Sequence, residues 1–277
     1  MREMLINHGY LESENPDFII VNTCAVTSVA EHKSRQKVSS LAKKHPSSSI
    51  IVCGCSSTLH AEDYKKINGV KIILDNNNHE KLLELLEQID NNSLPLINID
   101  SNTRKRKYQN LKISNFDEQV RAFVKISDGC NNFCSYCVIP FTRGNLRSRD
   151  KEEIICEVKR LIANGYQEIV LTGIDSASYA NENKDYKFNN LLEDIVKIPN
   201  LKRLRISSVE ASQLDDDFIN LMKKYPQIAP HLHIPLQSGS DSVLKRMHRK
   251  YTCDEFYQKI KKIKEEIPDV ALACDVI

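Results

Sequence analysis

The sequence lacks any run that would carry the chain into or across a membrane. No stretch of its 277 residues approaches the roughly eighteen consecutive apolar residues of a membrane span, and no charged n-region is followed by an apolar h-region. Its nine cysteines are an odd number, which disfavours a disulfide framework. These absences predict a protein of the reducing cytoplasm, with no membrane partner and with thiols available for metal.

Other absences narrow the possible cofactor sites and partners. The chain has no internal repeat, no P-loop and no G-x-G-x-x-G motif, so no cofactor is expected in a Rossmann-type dinucleotide site. A net charge of +2 says little about partners, but basic residues come in runs. The runs are 104–107, then Arg143, Arg147 and Arg149, then 202–205, and then 245–250. A single basic run is usually a solvated surface, whereas several basic runs beside an active site are typical of contacts with a phosphate backbone.

The first part of the chain alternates short apolar runs with helical patterns. The runs 18–21, 49–52 and 70–74 are β-branched and bounded by polar turns, which predicts buried parallel strands. Helical patterns cover about 26–44 and 78–89. The pattern predicts a three-layer α/β domain over residues 1–91, followed by a polar, basic linker over 92–119.

A second α/β series occupies residues 120–277 and predicts an incomplete (βα) barrel. Its five predicted strands are 122–126, 168–172, 203–207, 231–236 and 271–277. Its first helix is predicted to begin after the N-cap residue Asp150 and to end before Gly165. In such barrels the active site collects at the carboxyl ends of the strands.

Three cysteines follow the first of these strands with the spacing C-x3-C-x2-C. Cys130, Cys134 and Cys137 supply three thiolates, and neither Cys nor His occurs in the ten residues after Cys137. Structural zinc is nearly always closed by four protein ligands, so the missing fourth ligand favours an iron–sulfur cluster with one open iron.

A second group of cysteines follows the predicted strands of the first domain. Cys24 follows the first strand, while Cys53 and Cys55 follow the second. Parallel strands that end side by side would bring Cys24 close to the other two. Buried structural cysteines and a shared metal site both remain open from the residues alone.

The cysteine loop and the strand before it resemble the radical S-adenosylmethionine (SAM) superfamily. A wider set of motifs resembles the methylthiotransferases within it, most closely the tRNA threonylcarbamoyladenosine methylthiotransferases. The motifs are Asn22-Thr23-Cys24, 33–36, Gly54-Cys55, 129–140, 171–174, 205–210, 233–240, 244–247 and 249–252.

The resemblance implies an enzyme with two [4Fe–4S] clusters that adds a methylthio group to C2 of a modified adenosine next to the anticodon. Cys130, Cys134 and Cys137 would hold the cluster that cleaves SAM, and Cys24 and Cys55 would hold the second. The implied partners are a tRNA anticodon stem-loop and an electron donor such as flavodoxin or ferredoxin. The implied SAM contacts are Thr172, Gly173, Arg205, Ser207, Glu210, Gln237 and Ser238.

The sequence departs from the family pattern at both ends and at Thr58. We expect it to lack the family's first strand with the third ligand of the second cluster, and the sixth barrel strand with the small RNA-binding β-domain. Cys53 is a minor candidate for the missing ligand. Two alternative functions remain open: methylthiolation of a ribosomal protein, and a metal- or RNA-binding fragment without activity.

Overall fold

Two units make up the protein in this computed structural model, which describes residues 1–89, 96–100, 108–109, 120–180, 183 and 185–277. The first unit contains the described residues of Met1–Leu111 and Cys137–Asn145, and the second contains those of Lys112–Tyr136 and Leu146–Ile277. Most of the predicted linker, residues 92–119, and the basic run 104–107 lie outside the described residues. The proposed domain boundaries therefore remain predictions.

The first unit is built around one parallel sheet. Its strands are β1 (Phe18–Thr23), β2 (Ser49–Gly54), β3 (Val70–Leu74) and β4 (Leu96–Asn98), paired in that order. Its helices are α1 (Arg2–Asn7), α2 (Ser28–Lys44), α3 (Cys55–Leu59), α4 (Ala61–Lys65), α5 (Leu82–Glu87), preceded by the 3₁₀ turn His79–Lys81, and α6 (Ile139–Thr142).

Both faces of this sheet are covered, because alternate residues of β2 pack into different apolar clusters. Ile50 and Val52 join Val38 of α2 and Tyr64 of α4 on one face. On the other face, Ile51 and Cys53 of β2 join the leucines of α5 and the partly buried apolar residues of α1. Two helical layers around a sheet confirm the predicted three-layer domain.

The second unit repeats a strand and a helix. Its strands are β5 (Arg121–Asp128), β6 (Arg147–Ser148), β7 (Glu168–Gly173), β8 (Arg203–Ile206), β9 (His231–His233) and β10 (Ala271–Ala273). Its helices are α7 (Lys151–Ala163), α8 (Phe188–Val196), α9 (Asp216–Lys224), α10 (Asp241–Arg246) and α11 (Cys253–Glu266), with a 3₁₀ turn at Ala211–Gln213.

Five parallel strands follow one another in chain order around a partial barrel. β5, β7 and β8 pair in parallel, β9 pairs with β10, and a single parallel bridge from Ser208 to His233 joins the two groups. The two-residue β6 runs antiparallel to β5. All five predicted strands are present, and the last three are shorter than predicted.

One apolar cluster fills the space between these strands and the helices outside them. It includes Val124 of β5, Ile154 of α7, Leu191 of α8 and Phe218 of α9. The predicted cap of α7 is confirmed, since Asp150 Oδ1 accepts a hydrogen bond from the Glu153 amide at 3.1 Å. Within the ranges described, no helix has the length and apolar character needed to cross a membrane.

Candidate functional site

The cysteine loop begins where β5 ends, at the carboxyl edge of the barrel strands. The Asp128 carboxylate accepts a hydrogen bond from the Gly129 amide at 2.9 Å, which starts the turn into the loop. Cys130, Cys134 and Cys137 are all partly exposed. Cys130 and Cys134 belong to the second unit, whereas Cys137 belongs to the first.

Asp175, which follows β7, receives hydrogen bonds from the first half of the loop. Its carboxylate is bonded by Asn132 Nδ2 at 3.2 Å and by Cys130 Sγ at 3.8 Å. Gln213 Nε2 lies 3.4 Å from the other carboxylate oxygen. Because Asp175 is only 8% exposed, these donors satisfy a carboxylate that would otherwise be costly to bury.

Arg249, in the loop after α10, contacts the second half of the cysteine loop. Its Nη1 donates to Cys134 Sγ at 3.5 Å, and its Nη2 lies 2.5 Å from Glu210 Oε2. Its Nε donates to the Tyr251 hydroxyl at 3.2 Å. The guanidinium thus links a loop thiol to a carboxylate on a separate strand end.

The Arg249–Glu210 pair is well removed from water, with side chains 5% and 24% exposed. Burial raises the pKa of the Glu210 carboxyl, and it outweighs the opposing effect of Arg249. Burial alone would lower the pKa of Arg249, but the Glu210 carboxylate and the Tyr251 hydroxyl raise it by more than burial lowers it. The net pKa is therefore above its ordinary value, and the guanidinium stays charged.

The residues around Arg249 make three further hydrogen bonds to the same loop. The bonds run from Ser135 N to Met247 O at 3.2 Å, between His248 Nδ1 and Phe133 O at 3.2 Å, and from Lys250 Nζ to Asn132 Oδ1 at 2.8 Å. We call residues 247–250 the clamp segment.

A pocket of about 220 Å³ opens beside this loop within the second unit. It presents both signs of charge, with Glu210 facing Arg249 and Lys250. The remaining lining residues are Asn132, Cys134, Ser178, Ser212, Gln213 and His248. Cys134 and Glu210, two of the residues predicted to act at the site, therefore come together here.

Thr172 and Gly173 lie at the carboxyl end of β7, as predicted. A Cβ at Gly173 would stand 2.3 Å from the hydroxyl of Ser127 in β5. Ser127 is fully buried and donates to the Asp175 carbonyl at 3.1 Å. Close packing against β5 therefore accounts for the glycine at position 173.

Arg205 does not reach the pocket. Its Nε donates to Glu168 Oε1 at 3.0 Å, and Glu168 is the first residue of β7, so the side chain extends toward the beginning of that strand. Ser207 follows β8, and its hydroxyl lies 3.3 Å from that of Ser176.

Gln237 and Ser238 form the turn after β9. Gln237 has a φ of +69°, and its amide donates to the Asp275 carbonyl at 2.8 Å. Ser238 Oγ accepts from the Ser240 amide at 3.3 Å, which is ordinary turn chemistry. Neither residue lines the pocket described above.

The predicted arginine surface near the loop needs a correction. Arg149 is 4% exposed and ion-paired with Glu157, and Arg147 is 9% exposed and lies 3.5 Å from Asp128. Two of the three arginines proposed to contact RNA are thus internal ion-pair partners. Exposed cations of the second unit include Lys202, Lys245 and Lys250.

In the first unit, the strand register brings Cys24 and Cys55 to the same sheet edge. Thr23 pairs with Gly54, and the two cysteines are the next residues after this pair. A Cβ at Gly54 would stand 2.2 Å from the Thr23 carbonyl, so only glycine allows the two strand ends to approach this closely. Asn76, just after β3, donates to Cys55 Sγ at 3.1 Å.

Cys53 is a different kind of thiol. It is fully buried in the apolar cluster on one face of the sheet, and burial raises the pKa of its thiol to about 12. Metal ligation needs a thiolate, so this environment favours a structural cysteine over a replacement ligand.

No three Cys, His, Asp or Glu side chains in the described part of the chain already form a set that could hold a metal ion. The chemistry of the cysteine loop nevertheless fits a cluster. Cys130 Sγ accepts from the Asn132 amide at 3.4 Å, and Cys134 Sγ accepts from Arg249. N–H donors to a ligating sulfur are a common feature of iron–sulfur sites.

A loop with three cysteines follows the first strand of a parallel partial barrel, and this order of elements defines the class of protein. The chain belongs to the radical SAM superfamily, whose sequence pattern matches residues 124–277. Residues 1–75 match a second family, described as Uncharacterized protein family UPF0004.

Curated relatives match nearly all of the chain. It is 40% identical over 265 residues, or 95% of its length, to threonylcarbamoyladenosine tRNA methylthiotransferase MtaB of Bacillus subtilis, of which it covers 59%. It is 38% identical to tRNA-2-methylthio-N(6)-dimethylallyladenosine synthase of Thermodesulfovibrio yellowstonii, over 100% of this chain and 64% of that protein. An MtaB of Aquifex aeolicus is 33% identical, with coverages of 94% and 63%. The chain thus spans about three fifths of the length of these relatives.

Solved structures confirm the fold. The radical SAM methyltransferase TsrM of Kitasatospora setae matches with a TM-score of 0.66 and 15% identity, over 97% of this chain and 59% of that one. The cobalamin-dependent SAM radical enzyme OxsB matches with a TM-score of 0.63 and 11% identity, over 100% of this chain and 42% of that one. At such low identity the similarity bears on the fold alone.

Several residues of the site could not be found from sequence spacing. Asp175 and Arg249 reach the loop only through the fold, and Arg249 lies 115 positions from Cys134. Gln213 contacts Asp175 and not the loop itself. Arg249 carried two signals, its place in a basic run beside Lys250 and its place in the motif 249–252, but neither assigned it to the cysteine loop. Asn76 gave no signal beyond following a predicted strand.

Proposed function

We propose that the protein is a radical SAM methylthiotransferase that modifies tRNA at C2 of N6-threonylcarbamoyladenosine, next to the anticodon. The observation that carries this proposal is the spacing of the three cysteines, of which Cys134 lines a charged pocket, in a chain of the radical SAM superfamily. Threonylcarbamoyladenosine tRNA methylthiotransferases are among its curated relatives, at 33–40% identity.

The cysteine loop is proposed to hold the [4Fe–4S] cluster that binds SAM. Cys130, Cys134 and Cys137 are the ligands, and three thiolates leave one iron open to the cofactor. When bound, the cluster supplies the electron that cleaves the SAM sulfonium. The protein's own task is to orient the loop, which the bonds to Asp175 and Arg249 support.

The pocket is proposed to take the charged end of SAM. Its volume of about 220 Å³ is below the roughly 300–1,000 Å³ of typical small-molecule sites, so it suits part of the cofactor. An amino group and a carboxylate need partners of both signs, and Glu210, Arg249 and Lys250 supply them. Thr172, Gly173, Ser207, Gln237 and Ser238 remain candidates for the rest of SAM, while Arg205 would first have to leave Glu168.

A second cluster is proposed at the sheet edge of the first unit. Cys24 and Cys55 follow paired residues there, and the Asn76 amide already donates to the Cys55 sulfur. Amide donors to a ligating sulfur are a common feature of iron–sulfur sites. This cluster would serve the sulfur transfer.

The proposed partners are a tRNA anticodon stem-loop and a flavodoxin- or ferredoxin-type electron donor. A tRNA substrate and reduced thiols both fit the cytoplasm. Electrostatic attraction by exposed cations such as Lys202, Lys245 and Lys250 would contribute to binding, so the affinity should fall as salt rises.

The cluster can be tested by anaerobic reconstitution of the chain, followed by iron and sulfide analysis and assay of SAM cleavage. We expect a visible chromophore, sulfide, and 5′-deoxyadenosine formed with a reductant. Cys134→Ala should abolish cleavage, whereas Cys156→Ala, at an exposed position on α7, should not. Stoichiometric zinc without sulfide would refute the cluster.

The substrate can be tested by nucleoside mass spectrometry of tRNA incubated with the reconstituted protein, SAM and reductant. We expect the mass of 2-methylthio-N6-threonylcarbamoyladenosine. The dimethylallyladenosine synthase relative, at 38% identity over the whole chain, makes N6-dimethylallyladenosine the second candidate substrate. The two methylthiolated nucleosides differ in mass, so one measurement distinguishes the two candidate substrates. If neither nucleoside carried a methylthio group, both candidate substrates would be refuted.

A further inference from the structure

We infer that Arg249 is a positioning residue that fixes Cys134 of the cysteine loop relative to Glu210 and tunes the cluster that Cys134 is proposed to hold. The tuning role of Arg249 rests on the proposed function. The positioning role concerns only contacts among described residues of the second unit.

The guanidinium is suited to this role because it makes three directional contacts at once. It donates to Cys134 Sγ, to Glu210 and to the Tyr251 hydroxyl, at 3.5, 2.5 and 3.2 Å. Arginine presents its donors in a rigid planar fork, so these contacts fix the relative positions of the groups they join. Lysine, with one flexible ammonium, cannot reproduce this geometry.

Arg249 is itself anchored to the barrel. The Tyr251 hydroxyl donates to the carbonyls of Pro235 and Leu236 at 2.8 and 3.0 Å, just after β9. The guanidinium carbon also lies 5.1 Å from the centroid of the Tyr251 ring. Because the arginine side chain is 5% exposed, few water molecules compete for its contacts.

The other residues of the clamp segment reinforce the contact between Arg249 and the cysteine loop. Met247, His248 and Lys250 bond to residues 132–135 on either side of Cys134, so four consecutive residues contact four consecutive loop residues. Losing the central, buried Arg249 should therefore loosen the whole loop and not one thiol alone.

A positive N–H donor at a cluster thiolate has a predictable electronic effect. It stabilises the more negative, reduced cluster and so raises the reduction potential. Arg249 also compensates the charge of Glu210 beside the pocket. Loss of Arg249 should lower the potential and weaken the binding of SAM.

The first experiment uses the chain without a cluster, so it does not depend on the proposed function. Hydrogen exchange is followed in peptides covering residues 130–136 for Arg249→Gln, Arg249→Lys and the matched control Arg246→Gln, an exposed arginine at the end of α10. We expect several-fold faster exchange in Arg249→Gln, a smaller increase in Arg249→Lys, and none in the control. Exchange as in the wild type for both Arg249 variants would overturn the positioning role.

The second experiment uses the reconstituted protein. We expect a more negative midpoint potential and about tenfold weaker SAM binding in Arg249→Gln, since one charge-assisted contact is lost. Arg249→Lys should fall between this variant and the wild type, and it remains informative if Arg249→Gln fails to fold. An unchanged potential and affinity would overturn the tuning role. A wild-type chain that takes up no iron would refute the proposed function, while the exchange result would still decide the positioning role.

Discussion

Replacing Gly54 by alanine should destabilise the first unit, because no side chain fits at the end of β2. A Cβ there would lie 2.2 Å from the Thr23 carbonyl oxygen and 2.6 Å from Asn22 Oδ1. Thr23 is paired with Gly54 in the parallel register, so its carbonyl cannot move away without opening the β1–β2 pairing. The backbone of Gly54, with φ +110° and ψ −164°, lies in a region that only glycine adopts readily.

Two contributions set the size of the effect. The backbone conformation costs an alanine about 1–3 kcal/mol, and displacing packed backbone costs about 1–3 kcal/mol more. Gly69→Ala is the matched control, because Gly69 has a φ of +87° but its nearest contact would be at 3.7 Å. The control should therefore lose only about 1–2 kcal/mol.

The assay is urea unfolding of the cluster-free chain, read by hydrogen exchange in peptides that cover β1, β2 and β3. This readout reports on the first unit separately from the second. We expect Gly54→Ala to lose at least about 1 kcal/mol more than Gly69→Ala. Equal losses of unfolding free energy in the two variants would show that the close approach of Thr23 to position 54 does not contribute to the cost of the substitution.

Three other measurements test the structure at separate places. Hydrogen bonds, led by that from Lys224, lower the pKa of Glu193 to about 2. A lowered pKa stabilises the fold above the ordinary value of 4.5 and loses that effect as the pH falls toward 2, so Glu193→Gln should flatten the loss of thermal stability over this range. Iodoacetamide at pH 8 should label the exposed Cys156 while sparing the buried Cys53, whose thiol has a pKa of about 12, and equal labelling would contradict its burial. Phe218→Ala should cost about 3–5 kcal/mol in urea unfolding of the second unit, because the ring is 1% exposed, and a loss below about 1 kcal/mol would contradict its place in the core.

Elements with strong local patterns could be predicted from the sequence. β2 is buried at every residue, and its β-branched run predicted a buried parallel strand. α7 begins after Asp150 because a carboxylate can bond the exposed amides of the first turn, and that signal lies within four residues of sequence. The placement of Cys24 and Cys55 at the same sheet edge followed from the parallel arrangement of two such strands.

Elements and contacts that depend on the assembled fold could not be predicted in this way. β4 has three residues and β6 has two, too few for a periodicity to emerge. The resemblance implied that Arg205 contacts SAM, which stays a prediction, whereas the hydrogen bond from its Nε to Glu168 on the neighbouring strand depends on the strand pairing. The arginine that does contact the loop, Arg249, is brought there by chain reversals over more than a hundred residues.

The close packing around Gly173 restricts how position 173 can change during evolution. Every amino acid reachable by one nucleotide change from a glycine codon carries a Cβ, and at position 173 that atom would meet the Ser127 hydroxyl at 2.3 Å. A Ser127→Gly change removes the hydroxyl but also removes its hydrogen bond to the Asp175 carbonyl. Even without that hydroxyl, a Cβ at position 173 would lie 3.0 Å from the Ser176 hydroxyl and 3.2 Å from the Ser127 carbonyl oxygen. Replacement of Gly173 is therefore expected to require changes at more than one neighbouring position.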